Sequence, residues 1–232
     1  MAETTFIDTF NNRKQARIES GEADRMSSRS FNLVLTGLLV YGLLVNAVMV
    51  YYLSAPLMNL MIGASTWTFL LIYFVPTIIG VIMAAKSSNP VISFIGYNLV
   101  VLPIGLLLSL IIPNLPAAIV TKAMLLTGMV AATMMLLAAI KPSFFLGLGR
   151  TLFFGLLIGI IAELVATFLL GYRGELFDWI FVILFSGYLG YDIAKSQAYP
   201  KTLDNAVDSA LDIYLDIINL FIRLLSILSK RN

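Results

Sequence analysis

The chain contains successive long apolar runs with few or no charges, and this feature constrains its fold more than any other. The first run extends from Phe31 to Leu53 and contains no charged side chain. A helix that spans a bilayer needs about 20 mostly apolar residues, because its backbone polar groups must be satisfied within the helix. The pattern predicts an all-α membrane protein with one seven-helix domain over residues 31–232. The predicted segments are Phe31–Leu53, Leu57–Ala85, Val91–Ile112, Ala117–Ile140, Phe144–Tyr172, Leu176–Ala194 and Asn205–Ser229.

The composition also indicates that the main solvent of this chain is lipid. Of its residues, 59% are hydrophobic and 12% are charged, whereas a soluble domain carries roughly 25% charged residues. A net charge of +2 argues against nucleic acid as a partner. The chain has no Cys and no His, which argues against disulfides and against thiolate or imidazole metal sites. A proton sensor in this chain must therefore use carboxylates.

Residues 1–30 are polar and of mixed charge, without the apolar core of a secretory signal, and we expect a cytosolic tail there. Lys and Arg are more frequent in the segments that would then face the cytosol, which predicts an internal N-terminus. Seven crossings place the C-terminus outside, whereas a re-entrant seventh segment, favoured by Lys230 and Arg231, returns it to the cytosol. The lack of Cys and the short loops favour a bacterial inner membrane.

The last segment carries an acidic residue at every fourth position. Asp204, Asp208, Asp212 and Asp216 lie nearly on one face, because an α-helix has 3.6 residues per turn. Arg223 returns to almost the same face. An ionisable group in a bilayer is costly unless it faces protein or water, so the seventh helix should lie inside the bundle. For Asp204 and Asp208 the alternative is a structural role at the positive end of the helix dipole.

The sixth segment supplies a candidate partner, Asp192, after a run of uncharged residues. The two segments are joined by a short turn, so residues equally far from that turn lie at equal depth. Depending on the centre of the turn, Asp192 pairs with Asp216 or with Asp212, and the spacing alone does not choose. Two carboxylates at one buried site cannot both be ionised cheaply, so such a pair holds either a proton or a cation. Calcium, which prefers carboxylate and carbonyl oxygens, suits the second state.

Two stretches near the end of the chain resemble the Bax inhibitor family, which includes the transmembrane Bax-inhibitor-motif and lifeguard proteins and their bacterial relatives. They are "GYLGYDIAK" (Gly187–Lys195) and "YLDIINLFIRLLSIL" (Tyr214–Leu228), the second with an Asp-x-x-Asn spacing that ends at Asn219. The resemblance implies a fold with six helices around a central seventh. It also implies a pH-sensitive calcium leak.

The resemblance further implies which residues act. The proton-sensing and gating dyad would be Asp192 and Asp216, with calcium as the transported ion and no other cofactor. A basic residue near the cytosolic end of the second helix supports the dyad in the family, and Lys86 occupies roughly that place. A lysine cannot form the bidentate pair that an arginine would form with a carboxylate.

Other charged residues in the segments have open roles. Glu163 is either a second site on the ion path or a partner for Arg150 or Arg223. Arg150 would lie about 20 Å away along a straight helix, which disfavours direct pairing. Asp208 and Asp212 are predicted to form a cytosolic funnel that concentrates cations.

The sequence therefore predicts a proton-gated calcium leak that is not an enzyme, with lipid, calcium and protons as its partners. Pro76 and Gly80 in the second segment are candidate hinges, or kinks that serve packing. A second hypothesis is a regulatory membrane protein that modulates proteases or cell death through its tail and apolar faces. Two membrane aspartates also fit an intramembrane aspartyl protease, but the sequence contains neither the Gly-x-Gly-Asp loop nor the Pro-Ala-Leu segment of those enzymes.

Overall fold

The structure is a computed structural model that describes residues 25–171 and 174–231. Within these residues every regular element is a helix. The elements are α1 (Ser28–Val48, continued by a π-helical turn, Met49–Leu53), α2 (Ser54–Met61), α3 (Thr66–Lys86), α4 (Pro90–Ile111, followed by a 3-10 turn, Ile112–Asn114), α5 (Ala117–Ile140), α6 (Pro142–Gly147), α7 (Gly149–Leu169), α8 (Glu175–Ala198) and α9 (Leu203–Lys230). The predictions for residues 1–24 of the tail and for Tyr172 lie outside the described residues.

Six helical stretches in the described part of the chain are long and apolar enough to cross a membrane. They are Ser28–Met61, Trp67–Lys86, Pro90–Asn114, Ala117–Ile140, Gly149–Leu169 and Glu175–Ala198. The chain is therefore an all-helical, multi-pass membrane protein, as its apolar runs predicted. Helix α9 has 28 residues but is too rich in charged residues to join this set. A seventh crossing stays a prediction.

The first span is longer than the predicted Phe31–Leu53, because helical structure continues to Met61. Pro56 does not stop it, since it lies in the first turn of α2, where a missing backbone N–H is tolerated. The chain then turns at Gly63, whose φ of 80° is a left-handed conformation that glycine adopts easily. The next helix is capped by the side chain of Ser65. The predicted start of the second segment was therefore wrong.

The predicted fifth segment is also divided, into α6 and α7. The break falls at the Gly147-Leu148-Gly149 sequence, where Gly149 lies against the ring of Tyr191. A Cβ at Gly149 would lie 2.8 Å from that ring, so the close approach requires glycine. The segments predicted at 91–112, 117–140, 176–194 and 205–229 match observed helices to within about one turn.

The described residues form two compact units. The first comprises the chain up to Pro113 together with Ala198–Leu211, and the second comprises Asn114–Gln197 together with the chain from Asp212 onward. In the first unit α3 and α4 approach closely at Gly80 and Gly96, where a Cβ on either residue would collide with the carbonyl oxygen of the other. Gly80 therefore serves packing, and its role as a hinge stays a prediction.

In the second unit, glycines on α8 let neighbouring helices approach. The Gly190 backbone lies against the ring of Phe145 in α6, and Gly187 lies against Leu152 in α7. Side chains of α8 and α9 also share an apolar cluster that includes Val182 and Leu220. These contacts hold α8, which carries Asp192, in a close-packed environment.

Helix α9 differs from the other helices in its burial. Every residue from Asp204 to Ser229 is buried or half-buried. By contrast, at most 17% of a span-length window is buried in α3, α5 and α7. The acidic helix is thus more sheltered than these three apolar helices, as the cost of charge in a bilayer requires. A position at the centre of six helices stays a prediction.

Candidate functional site

The site begins with the turn that connects α8 to α9. The backbone N–H of Asn205 donates to Oγ1 of Thr202 at 3.2 Å, so Thr202 caps the start of α9. The Asn205 side-chain amide donates to the carbonyl oxygen of Pro200 at 2.9 Å. These bonds close a short connection, so α8 and α9 are consecutive helices with little freedom in the residues between them.

Asp192 of α8 and Asp216 of α9 come together in the second unit. Their carboxyl groups lie within hydrogen-bonding range of each other. Asp192 is 7% exposed and Asp216 is 6% exposed, so both groups are withdrawn from lipid and from bulk water. Of the two candidates that the spacing left open, Asp216 is therefore the one whose carboxyl group lies beside that of Asp192.

Lys195, one turn after Asp192 on α8, connects Asp212, the other candidate partner, to this pair. Its Nζ donates to Oδ1 of Asp192 at 3.0 Å and to Oδ2 of Asp212 at 2.7 Å. The ammonium also lies 5.6 Å from the centroid of the Tyr191 ring, a favourable position for a cation. Sequence reasoning counted Lys195 only as a cytosolic basic residue, although its position three residues after Asp192 was a usable signal.

Asp216 retains an oxygen that is not satisfied. Its Oδ2 is buried and accepts no hydrogen bond from any described residue. A buried acceptor without a donor lowers the stability of the folded state by about 1–3 kcal/mol. Such an oxygen can bind a proton or coordinate a metal cation. The phenol of Tyr188 lies close enough to interact electrostatically with both Asp192 and Asp216. Sequence reasoning did not single out Tyr188, which precedes Asp192 by one helical turn.

A second ionic cluster lies near the start of α8 and the end of α9 and also includes Glu163 of α7. Arg223 forms a bidentate pair with Glu163 through bonds of 2.6 and 2.8 Å, and donates to Oδ1 of Asp178 at 3.1 Å. Oδ2 of Asp178 accepts from Ser226 and from Lys230, both at 2.8 Å. Among the alternatives for Glu163, the partner in the structure is thus Arg223. Sequence reasoning missed Asp178, which it treated as part of an apolar segment.

The first two acids of the ladder lie in the first unit. Asp204 is in the first turn of α9, as the helix-dipole alternative predicted, but it is buried and accepts a 2.7 Å hydrogen bond from Ser93 of α4. Asp208 is 3% exposed. Of the two residues predicted to form a funnel, Asp208 is therefore deeply buried, and Asp212 already accepts a hydrogen bond from Lys195. Attraction of cations by these two residues stays a prediction.

Two other predicted residues make different contacts. The side-chain amide of Asn219 donates to the carbonyl oxygen of Leu215, four residues earlier in its own helix, at 2.8 Å. Lys86 is the last residue of α3 and is exposed. It forms no ion pair with another residue of the described ranges, and its supporting role stays a prediction.

The described residues include no group of three or more acidic side chains arranged to hold a metal ion together. The ammonium of Lys195 already occupies one oxygen of Asp192. A calcium cage takes six to eight oxygens, which is more than the carboxyl pair alone supplies.

Comparison with known proteins identifies the family of this chain. A profile of the family described as "Inhibitor of apoptosis-promoting Bax1" matches residues 26–232. A Vibrio cholerae serotype O1 protein described as "Uncharacterized membrane protein" is 31% identical over 121 residues. That similarity covers 52% of this chain and 53% of the relative, so the chain spans about half the length of the protein it matches. No solved structure matches the chain at a significant level.

The family match extends over both helices that carry the carboxyl pair and over all six apolar spans. It therefore includes the stretches at Gly187–Lys195 and Tyr214–Leu228 in which the resemblance was visible. The chain belongs to the Bax inhibitor family of membrane proteins.

Proposed function

We propose that this chain is a pH-sensitive calcium leak channel in which the carboxyl pair of Asp192 and Asp216 senses protons and gates the ion. One observation carries the proposal, namely the buried contact between these two carboxyl groups beside an Asp216 oxygen that has no partner among the described residues. In this proposal the pair binds protons and cations and has no catalytic role.

The chemistry of the pair provides two states. With one shared proton, the two carboxyl groups form a hydrogen bond and carry a single negative charge, which Lys195 offsets only in part because its ammonium is shared with Asp212. Without that proton, two adjacent negative charges repel each other and attract a divalent cation. Calcium favours carboxylate oxygens, so the proton and calcium exclude each other. Acidification therefore decreases calcium passage.

Membrane placement forms part of the same proposal. The six apolar spans support a multi-pass protein, and the Lys and Arg distribution supports a cytosolic N-terminus. The lack of Cys and the short loops favour a bacterial inner membrane. An ion that crosses such a membrane must pass charged or polar groups inside the protein, and Asp192 and Asp216 are sheltered groups of that kind.

Calcium flux into reconstituted vesicles tests the proposal directly. We expect the intact chain to increase flux over empty vesicles, with less flux at pH 6 than at pH 8. Asp192→Asn and Asp216→Asn remove this pH dependence because the shared proton is no longer titratable. Glu175→Gln is the matched control, since Glu175 lies on the same helix but contacts Arg231 instead of the pair. Vesicles no leakier than empty ones, or wild-type pH dependence in both Asp variants, would overturn the proposal.

A further inference from the structure

We propose that Lys195 is a built-in counter-cation of the carboxyl pair, and that calcium binds there only when the Lys195 ammonium leaves Asp192 and rests on Asp212 alone. The inference deepens the proposed function and rests on it. It assigns Lys195 and Asp212 as residues that set the calcium affinity of the site, and it predicts opposite effects of removing each one.

The geometry of Lys195 supports a choice between two partners. Its Nζ lies 3.0 Å from Oδ1 of Asp192 and 2.7 Å from Oδ2 of Asp212, so a single ammonium is shared by two carboxylates on different helices. The Asp192 side chain is 9% exposed, whereas that of Asp212 is 37% exposed. A lysine that moves towards Asp212 therefore moves towards the more exposed of its two partners and needs only small rotations of a flexible side chain.

The charges of the cluster explain why the ammonium and calcium exclude each other. Asp192, Asp212 and Asp216 place three carboxylates around one ammonium. A calcium ion at Asp192 would lie beside the Lys195 charge and be repelled by it, and this repulsion is strong where water is scarce. When Lys195 pairs with Asp212 alone, its charge is neutralised and both dyad carboxylates are available to the ion.

The unsatisfied oxygen of Asp216 identifies where the ion would enter. Lys195 binds Asp192 and Asp212, but Oδ2 of Asp216 is buried without a partner in the described part of the chain. Oδ1 of Asp192 thus accepts a hydrogen bond from the Lys195 ammonium, whereas Oδ2 of Asp216 accepts none from any described residue. This asymmetry is expected of a site where an internal cation competes with an external ion.

Equilibrium binding of radioactive calcium to the purified full-length chain in lipid nanodiscs tests the inference without measuring flux. We expect Lys195→Met, which keeps the length but removes the charge, to bind calcium about tenfold more tightly than the wild type, in the range of coupling between contacting charged residues. Lys195→Arg, which keeps the charge, should stay within about twofold of the wild type. Asp212→Asn should weaken binding by about threefold or more, because the ammonium then remains on Asp192.

The double variant separates this mechanism from a general effect of charge. If Asp212 acts only by receiving Lys195, then Asp212→Asn has almost no effect in the Lys195→Met background. If Asp212 simply attracts cations, it weakens binding equally in both backgrounds, and the inference is overturned. Unchanged or weaker calcium binding in Lys195→Met also overturns it. Should Lys195→Met not fold, Lys195→Gln provides the same comparison with a smaller polar side chain.

A further pair of variants distinguishes failure of this inference from failure of the proposed function. Asp192→Asn and Asp216→Asn are each combined with Lys195→Met. Calcium binding that survives both combinations shows that the carboxyl pair is not the calcium site, which contradicts the proposed function. Calcium binding that depends on the pair but not on Lys195 contradicts only the role given to the lysine.

Discussion

Helices α8 and α9 take part in two ionic clusters, the first of which also includes Glu163 of α7, and the two clusters differ in how well their charges are balanced. In the first, here called the Arg223 cluster, two carboxylates meet two cationic side chains, and all four carboxylate oxygens accept hydrogen bonds. In the second, the Lys195 cluster, three carboxylates share one ammonium, and one buried oxygen has no partner among the described residues. The Arg223 cluster consists of Glu163, Asp178, Arg223, Ser226 and Lys230, and the Lys195 cluster of Asp192, Lys195, Asp212 and Asp216.

This difference separates buried carboxylates that stabilise the fold from buried carboxylates that are candidates for a functional role. A carboxylate whose oxygens are all paired contributes to the fold, and removing its partner leaves an uncompensated charge. A buried carboxylate with an unsatisfied oxygen destabilises the fold, and this cost is typical of groups retained for function. On this basis we expect the Arg223 cluster to be structural and the Lys195 cluster to be the site of the ion chemistry proposed above. The free energy of unfolding of single variants tests whether the two clusters differ in this way.

Arg223→Met should have the largest effect. It removes three hydrogen bonds, leaves Asp178 with Lys230 and leaves Glu163 without a cationic partner in the cluster. We expect the free energy of unfolding to fall by about 3 kcal/mol, as for other broken ion pairs with little exposure to solvent. Unfolding in mixed detergent micelles, followed by tryptophan fluorescence, measures this loss. A loss below about 1 kcal/mol would mean that the cluster is not structural.

Glu163→Gln should have an intermediate effect. The amide oxygen still accepts one hydrogen bond from Arg223, but the charge and the second acceptor of the bidentate pair are lost. Because the Glu163 side chain is 30% exposed, we expect a decrease of about 1–2 kcal/mol in the free energy of unfolding. Thermal unfolding in detergent with and without high salt provides the measurement. An increase in stability would show that the pair costs more to bury than it contributes.

Asp216→Asn should change stability in the opposite direction. The substitution removes a negative charge next to Asp192 and keeps a side chain of nearly the same shape, so the free energy of unfolding should rise by about 1 kcal/mol. Asp178→Asn is the matched control in the balanced cluster, where the same change should lower stability because Arg223 and Lys230 lose a charged partner. The same unfolding assay compares the two. If both variants change stability in the same direction, the contrast between the clusters is wrong.

Arg231→Ala should have the smallest effect. Arg231 pairs with Glu175 at 3.2 Å, but its side chain is 58% exposed and the pair is screened by solvent. We expect a change of less than about 1 kcal/mol that disappears at high salt. Urea or detergent titrations at two ionic strengths check this expectation. A larger loss would extend the structural cluster to the end of the described chain.

The apolar spans could be predicted closely because hydropathy is a property of each segment by itself. The predicted segment Ala117–Ile140 coincides with α5 residue for residue. Errors occurred where one backbone feature outweighs the apolar pattern. The predicted first and second segments are separated at Pro56, although a proline is tolerated there in the first turn of α2. The predicted fifth segment is continuous, although the two glycines around Leu148 divide it into α6 and α7.

The candidate site could be predicted only in part. Periodicity placed Asp212, Asp216 and Arg223 on nearly one face of the last helix, and burial of that helix agrees with the need to shelter them. The spacing could not choose between Asp212 and Asp216 as the partner of Asp192, because a shift of one helical turn exchanges them. It also could not reveal Lys195 as a bridge, since that role depends on where two carboxylates of another helix lie.

Local composition and the period of the α-helix were sufficient to predict that this chain is helical, that it crosses a membrane several times and that four of its acids lie nearly on one face of the last helix. The hydrogen bonds of Lys195 to both Asp192 and Asp212 became visible only in the folded structure. The same holds for the ion pair of Glu163 with Arg223, which are 60 residues apart in the chain. Such partners depend on the rotation and register of packed helices. Side-chain packing and close glycine contacts set these, and no single segment contains that information.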